Sequence, residues 1–167
     1  MTEKNKFPEP KISPSAHLPK DAIIVGDVTI GEECTVLYYS VLRGDNAPIN
    51  IGHRTNIQDH CILHTDHAHP IHIGNNVTVG HGCILHGCNI GKETMIGMGS
   101  IVMNGAKIGS HCIVGAGSLV TENTVIPDGY LALGRPAKPI RPLRPEQLDM
   151  IRASAAGYVE TGRKLFG

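Results

Sequence analysis

The sequence predicts an all-β chain wound as a parallel β-helix of six-residue repeats and finished by a C-terminal α-helix. Three observations carry that prediction. An aliphatic residue recurs mostly every six positions from Ile24 to Ile126, a small or thin residue commonly stands four positions after it, and Gly often follows it directly. Composition agrees: 20 Gly, two Phe and no Trp among 167 residues favour a turn-rich β architecture over a core of large aromatics.

The aliphatic anchors are Ile24, Ile30, Val36, Leu42, Ile51, Ile57, Leu63, Ile73, Val79, Leu85, Ile90, Ile96, Val102, Ile108, Val114, Val120 and Ile126. Pointing inward, each stacks on its equivalent one coil away. A coil of three short strands turns at three corners, which favours Gly and small residues there. A β-sandwich would instead alternate with period two between irregular turns, and seventeen anchors in one register argue against it.

Three gaps break the period. From Leu42 to Ile51 it is nine residues and from Leu63 to Ile73 ten, so short loops leave the prism at successive coils; from Leu85 to Ile90 it is five. The second loop, 65–72, is His-rich. After Ile126 the turn signal Pro127-Asp128-Gly129 ends the repeat, and a Pro-rich stretch follows. A helix is expected from Pro145, with Pro in its first turn, Glu146 near its N-terminus and an apolar stripe of Leu148, Ile151, Ala155 and Tyr158 or Val159. The whole reads as a single domain over 1–167: prism at 10–129, extended connector at 130–144, helix at 145–165.

Charge and cysteines exclude several classes. Fifteen basic and fifteen acidic residues balance, and no Lys/Arg run offers a nucleic-acid patch. The polar N-terminus lacks a signal's apolar stretch, and no segment approaches the roughly 20 apolar residues of a membrane span. Five Cys without CxxC spacing read as reduced thiols of a cytoplasmic protein. Cys34, Cys61, Cys83 and Cys112 stand at the small-residue position, and Cys88 reads as structural too.

The repeat also places the histidines. Cys61-Ile62-Leu63-His64 recurs as Cys83-Ile84-Leu85-His86, and Ser40-Val41-Leu42-Arg43 precedes both. Arg43, His64 and His86 therefore project outward at one corner of consecutive coils, about 4.8 Å apart. Two imidazoles so stacked can converge on one ion with bonds of about 2.0–2.1 Å. His81, the candidate third ligand, lies five residues before His86. That is roughly 16 Å of extended chain, and the odd spacing turns the two side chains to different faces. A neighbour in a cyclic trimer can supply it instead, giving three interface sites. Asp59 falls one coil before His81 with Gln58 beside it, and Arg43 and Asp45, one Gly apart, suit an interface ion-pair network.

The run VLRGDNAPINIGHRTNIQDHCILHTDH, followed by VTVGHGCILHGC, resembles the γ-class carbonic anhydrases and their bacterial homologues, from about Pro10 through the helix. The resemblance implies a left-handed parallel β-helix that forms a homotrimer. It implies zinc, with iron or cobalt as substitutes, on His64 and His86 of one subunit and His81 of the next. Gln58 matches the residue that hydrogen-bonds metal-bound hydroxide or substrate, and Arg43, Asp45 and Asp59 match interface and supporting positions. The implied reaction is reversible hydration of CO2 to bicarbonate, the metal lowering the pKa of its water from 15.7 to about 7. Where the family's proton-shuttle glutamates stand, this chain has Asn46 and His67, and no Glu lies between Glu33 and Glu93. His67 or His69 is the alternative relay, since an imidazole titrates near pH 6.5. Two other readings stay open: a metal-binding structural homologue with slow or no turnover, and a hexapeptide acyltransferase, whose tail resembles GRPAK at 134–138.

Overall fold

Burial follows the six-residue period. In the computed structural model, which describes residues 7–167, every anchor from Ile30 to Ile126 is buried, and Ile24 is half-buried. Residues 1–6, part of the N-terminus read above, lie outside the described residues. The chain winds as a left-handed parallel β-helix of about seven turns and ends in one helix.

Parallel pairing stacks the anchors into three ladders, one per prism face. The first face aligns Ile24, Leu42, Leu63, Leu85, Val102 and Val120. The second aligns Ile12, Ile30, Ile51, Ile73, Ile90, Ile108 and Ile126. The third aligns Val36, Ile57, Val79, Ile96, Val114 and Ala132. All three irregular gaps fall at the corner between the first and second faces, where the strand Val41–Ile51 runs across from one face to the other.

The corners work differently from the expectation. The left-handed backbone falls three residues after the anchor, and several non-glycines adopt it, among them Glu33, Arg54, Asn76, Glu93 and His111. The Gly directly after the anchor answers a close approach instead: a Cβ on Gly74 would sit 2.6 Å from the backbone N of Lys92 in the next coil. The small residues four after the anchor are buried, as their size suggests, but many are also donors. Ser40 Oγ bonds the carbonyl of Gln58 at 2.8 Å, Thr55 Oγ1 that of Gly74 at 2.8 Å, and Ser100 Oγ that of Gly115 at 3.1 Å. Cys34, Cys61, Cys83 and Cys112 donate from sulfur to equivalent corner carbonyls. All five thiols are unbridged and buried, and desolvation pushes Cys34 up to about 11 and Cys88 up to about 12.

Segment 130–144, expected as an extended connector, contains two strands. Tyr130–Gly134 extends the third face, and Ala137–Pro142 folds back antiparallel against it. The hairpin covers backbone groups that the last coil would otherwise leave at an open sheet edge.

Helix α1 (Pro145–Phe166) lies on the third face against Thr35–Val36, Asn56–Ile57 and Thr78–Val79. It buries Ile151, Ala155, Val159 and Gly162, while Leu148 and Tyr158 stay half-buried. Gly162 belongs to the stripe because the helix runs against Thr35 there, leaving no room for a side chain. Two ion pairs fix its register: Arg152 Nε on Glu93 Oε2 at 2.8 Å, and Arg163 on Glu33. No helix among the described residues is long and apolar enough to cross a membrane.

Candidate metal centre

The repeated tetrapeptides put Arg43, His64 and His86 in direct register on adjacent strands. The His64 and His86 rings meet edge to face with centroids 5.0 Å apart, and Nδ1 of His64 lies 3.0 Å from Nε2 of His86. Asp45 stands on the other side of His64, its Oδ1 3.1 Å from Nε2, while its Oδ2 is bonded by Arg43. Desolvation pushes the Asp45 carboxyl up, but the Arg43 guanidinium, the residue's own backbone amide and His64 outweigh it and hold the group below the usual carboxylate range. An ionised Asp45 only accepts, so Nε2 of His64 carries the ring proton and Nδ1 presents its lone pair to His86.

That arrangement suits a shared cation. Two nitrogens bonded at 2.0–2.1 Å to one tetrahedral ion stand about 3.3–3.4 Å apart, close to the separation seen here. A ring nitrogen with its proton held elsewhere is the form of imidazole that binds metal.

His81 sits at the other edge of the first face, at the corner arriving from the third. Its Nδ1 lies 2.8 Å from Oδ2 of Asp59, which leaves Nε2 free, and 44% of its side chain is exposed. Among the described residues no three His, Cys, Asp or Glu side chains gather into a metal site, so the single chain brings together two of the three candidate ligands and not the third. Gln58 is buried beside His81, its Nε2 donating to Asn56 Oδ1 at 3.2 Å. With His81, Met95, Met98, Ser154 and Tyr158 it lines an open pocket of about 410 Å³ on the third face. Burial, then the Asp59 charge, push the Tyr158 phenol up. His67 is exposed, with no side-chain hydrogen bond among the described residues, whereas His69 bonds Asp66. Sequence reasoning missed Asn104 and Asp66, which stand behind His86. The Asn104-Gly105 pair reads as a turn, which hides its side chain.

Comparison with known proteins covers most of the chain. Residues 87–122 match the family described as bacterial transferase hexapeptide (six repeats), and residues 70–102 the hexapeptide repeat of succinyl-transferase. A carbonic anhydrase of Geobacillus kaustophilus is 46% identical over 154 residues, covering 92% of this chain and 85% of the relative. Gamma carbonic anhydrase 1, mitochondrial, of Arabidopsis thaliana is 40% identical over 89% of this chain, which spans 56% of that protein. The crystal structure of a hexapeptide transferase family protein from Anaplasma phagocytophilum superposes with a TM-score of 0.91 at 39% identity, covering 94% of this chain and 93% of that one. Period, register and likeness over nearly the whole length lead to one assignment: the chain belongs to the γ-class carbonic anhydrase family of hexapeptide-repeat proteins.

Proposed function

We propose that the protein catalyses reversible hydration of CO2 to bicarbonate with a divalent ion, zinc or in its place iron or cobalt, at a corner shared by two subunits of a homotrimer. One observation supports the reading: the three candidate histidines stand at the two edges of the first face, within two adjacent coils. His64 and His86 occupy one edge and His81 the other, in the coil that joins Val79 to Leu85. Cyclic symmetry rotates without translating along its axis, so a third ligand from a neighbour must match the height of His64 and His86, which favours His81.

The face between those edges is built to be covered. Its outward residues are Ile23, Val41, Ile62, Ile84, Ile101 and Leu119, with Ile23, Ile62 and Ile84 exposed at 55%, 45% and 38%. The second face instead turns out Thr29, Asn50, His72, Asn89 and Lys107, with Val125 at its end. A continuous apolar strip on one face marks a contact surface. Three copies with these strips toward a common axis set each His81 beside a neighbour's His64 and His86.

When bound, the ion supplies Lewis-acid activation of water toward CO2. The chain's residues hold and orient. Asp45 and Asp59 fix the ring protons of His64 and His81, and Arg43 holds Asp45 in place. Gln58 keeps its carbonyl oxygen as an acceptor beside His81, since its amide is committed to Asn56. His67, exposed on the corner loop, passes the released proton to solvent. The buried, unbridged thiols suit a reducing compartment such as the cytoplasm.

The test is metal content of protein purified without chelator, together with CO2 hydration. Near one zinc or iron per chain and hydration activity are expected, both lost in His86→Ala. A metal-free, folded wild type, or activity indifferent to metal removal, would refute the reading. Acyl transfer from acyl-CoA surviving metal removal would favour the transferase class instead.

A further inference from the structure

His86 is held from behind, on the side away from His64. Its Nδ1 meets Oδ1 of Asn104, and Nδ2 of Asn104 lies 2.6 Å from Oδ2 of Asp66. The other Asp66 oxygen takes the backbone amides of Ala68 and His69 and the ring of His69, each at 2.9 Å. The chemistry of these groups fixes who donates. A carboxylate only accepts, so the NH2 of Asn104 faces Asp66 and its carbonyl oxygen faces His86. A carbonyl oxygen only accepts, so Nδ1 of His86 carries the proton and Nε2 turns its lone pair toward His64.

We infer that Asn104, oriented by Asp66, is the positioning residue of His86, fixing the tautomer and ring plane that leave Nε2 ready for the ion. This rests on the metal reading and extends it to two residues that touch no ligand atom facing the site. The fold is arranged for the contact. The ten-residue excursion between Leu63 and Ile73 is tied down by Asn46 Nδ2 on the Thr65 carbonyl at 3.0 Å and by Thr65 Oγ1 against both backbone groups of Ala47. On its far side the loop passes so close to Gly87 that a Cβ there would lie 2.5 Å from Cβ of His69. The long gap and the shortened gap from Leu85 to Ile90 thus interlock, and Asp66 is delivered against Asn104. The side chain of Asn104 makes its two bonds to His86 and Asp66 and none to its own turn, where Gly105 takes the left-handed backbone.

The experiment reads the His86 tautomer from imidazole 15N shifts of the metal-free protein, and the Zn2+ dissociation constant by competition with a chromophoric chelator. Asn104→Ala should abolish the preference for the Nδ1–H form and weaken Zn2+ binding about 10- to 100-fold. Asp66→Asn leaves His86 and Asn104 untouched, yet an amide at that position lets the Asn104 amide reverse and donate to Nδ1. The ring should then shift to Nε2–H, with a similar loss of affinity. The exchange Asp66→Asn with Asn104→Asp rebuilds the chain of bonds. The new amide on the loop still accepts from the two backbone N–H groups, and it donates to a carboxylate that accepts from His86. The exchange should restore both readouts.

Unchanged tautomer and affinity within about twofold of wild type in the single variants would overturn the inference. So would an exchanged pair that keeps a native circular dichroism spectrum but stays as impaired as Asn104→Ala. A wild type that takes up no Zn2+ would sink the metal reading alone, since the tautomer measurement needs no metal and still decides the role of Asn104.

Discussion

Each position of the six-residue unit meets a different physical demand. The anchor fills the prism, the residue after it passes under the next coil, the third turns the corner and the fourth is small and often donates to a corner carbonyl. Glycines at the first and third of those later positions should therefore respond differently to the same methyl group. At Gly129 the backbone is left-handed with φ +75° and no atom lies within 4 Å of where a Cβ would stand. Gly129→Ala should therefore cost only the strain of that conformation, about 1–2 kcal/mol. Gly74→Ala drives a Cβ into Lys92 backbone that cannot move without breaking a ladder, and should cost about 3 kcal/mol or more. Urea unfolding of the two variants checks the order; equal losses would refute the division of roles. Ser100→Ala should cost about 0.5–1.5 kcal/mol, because the Gly115 carbonyl loses its side-chain donor but keeps the backbone N–H of Ser118.

Helix α1 is docked by a short apolar stripe and by charges at the corner between the second and third faces. Glu33 is held below the usual carboxylate range chiefly by Arg54, with Arg163 adding to it, and Glu93 chiefly by Arg152. Lowered carboxylate values mean that the unfolded chain binds more protons in acid. The stabilisation is present above the ordinary Glu value of about 4.3 and lost as pH falls through the folded values. Arg152→Gln with Arg163→Gln should lower the thermal midpoint near pH 6 by a few degrees at most, as exposed pairs do, and the difference from wild type should shrink steadily as the pH falls below the ordinary Glu value of about 4.3. A difference that persists in acid would assign the docking to packing alone. The stripe itself was legible in the sequence through Ile151, Ala155 and Val159, because helical spacing is local. The hairpin at 130–142 was not, because its strands pair to cover an edge that exists only once the prism is built. His64 and His86 were legible because an identical tetrapeptide marks identical places on adjacent coils. Asn104 was not, because its role comes from a loop that returns 38 residues away in sequence.

At the scale of the whole molecule, the proposed sharing of the site between subunits makes a quantitative prediction about mixtures. If His81 serves a neighbour's His64 and His86, then His81→Ala and His86→Ala each destroy every site in a trimer of one kind, by removing opposite halves. Mixed trimers differ. A site is whole when the subunit lending position 81 is the His86→Ala chain and the subunit lending position 86 is the His81→Ala chain. With random assembly from equal amounts, each choice succeeds half the time, so about one quarter of all sites are intact. Co-expression with a different affinity tag on each chain, and purification over both, keeps only the mixed trimers, each with one whole site in three; these should carry about a third of wild-type zinc and a matching share of CO2 hydration, while either parent alone has essentially none. A site closed within one chain predicts no recovery at any mixing ratio, because every chain then carries a broken set. The tagged mixture separates these outcomes without a structure of the assembly, because only a site shared between neighbours can be rebuilt from two broken chains.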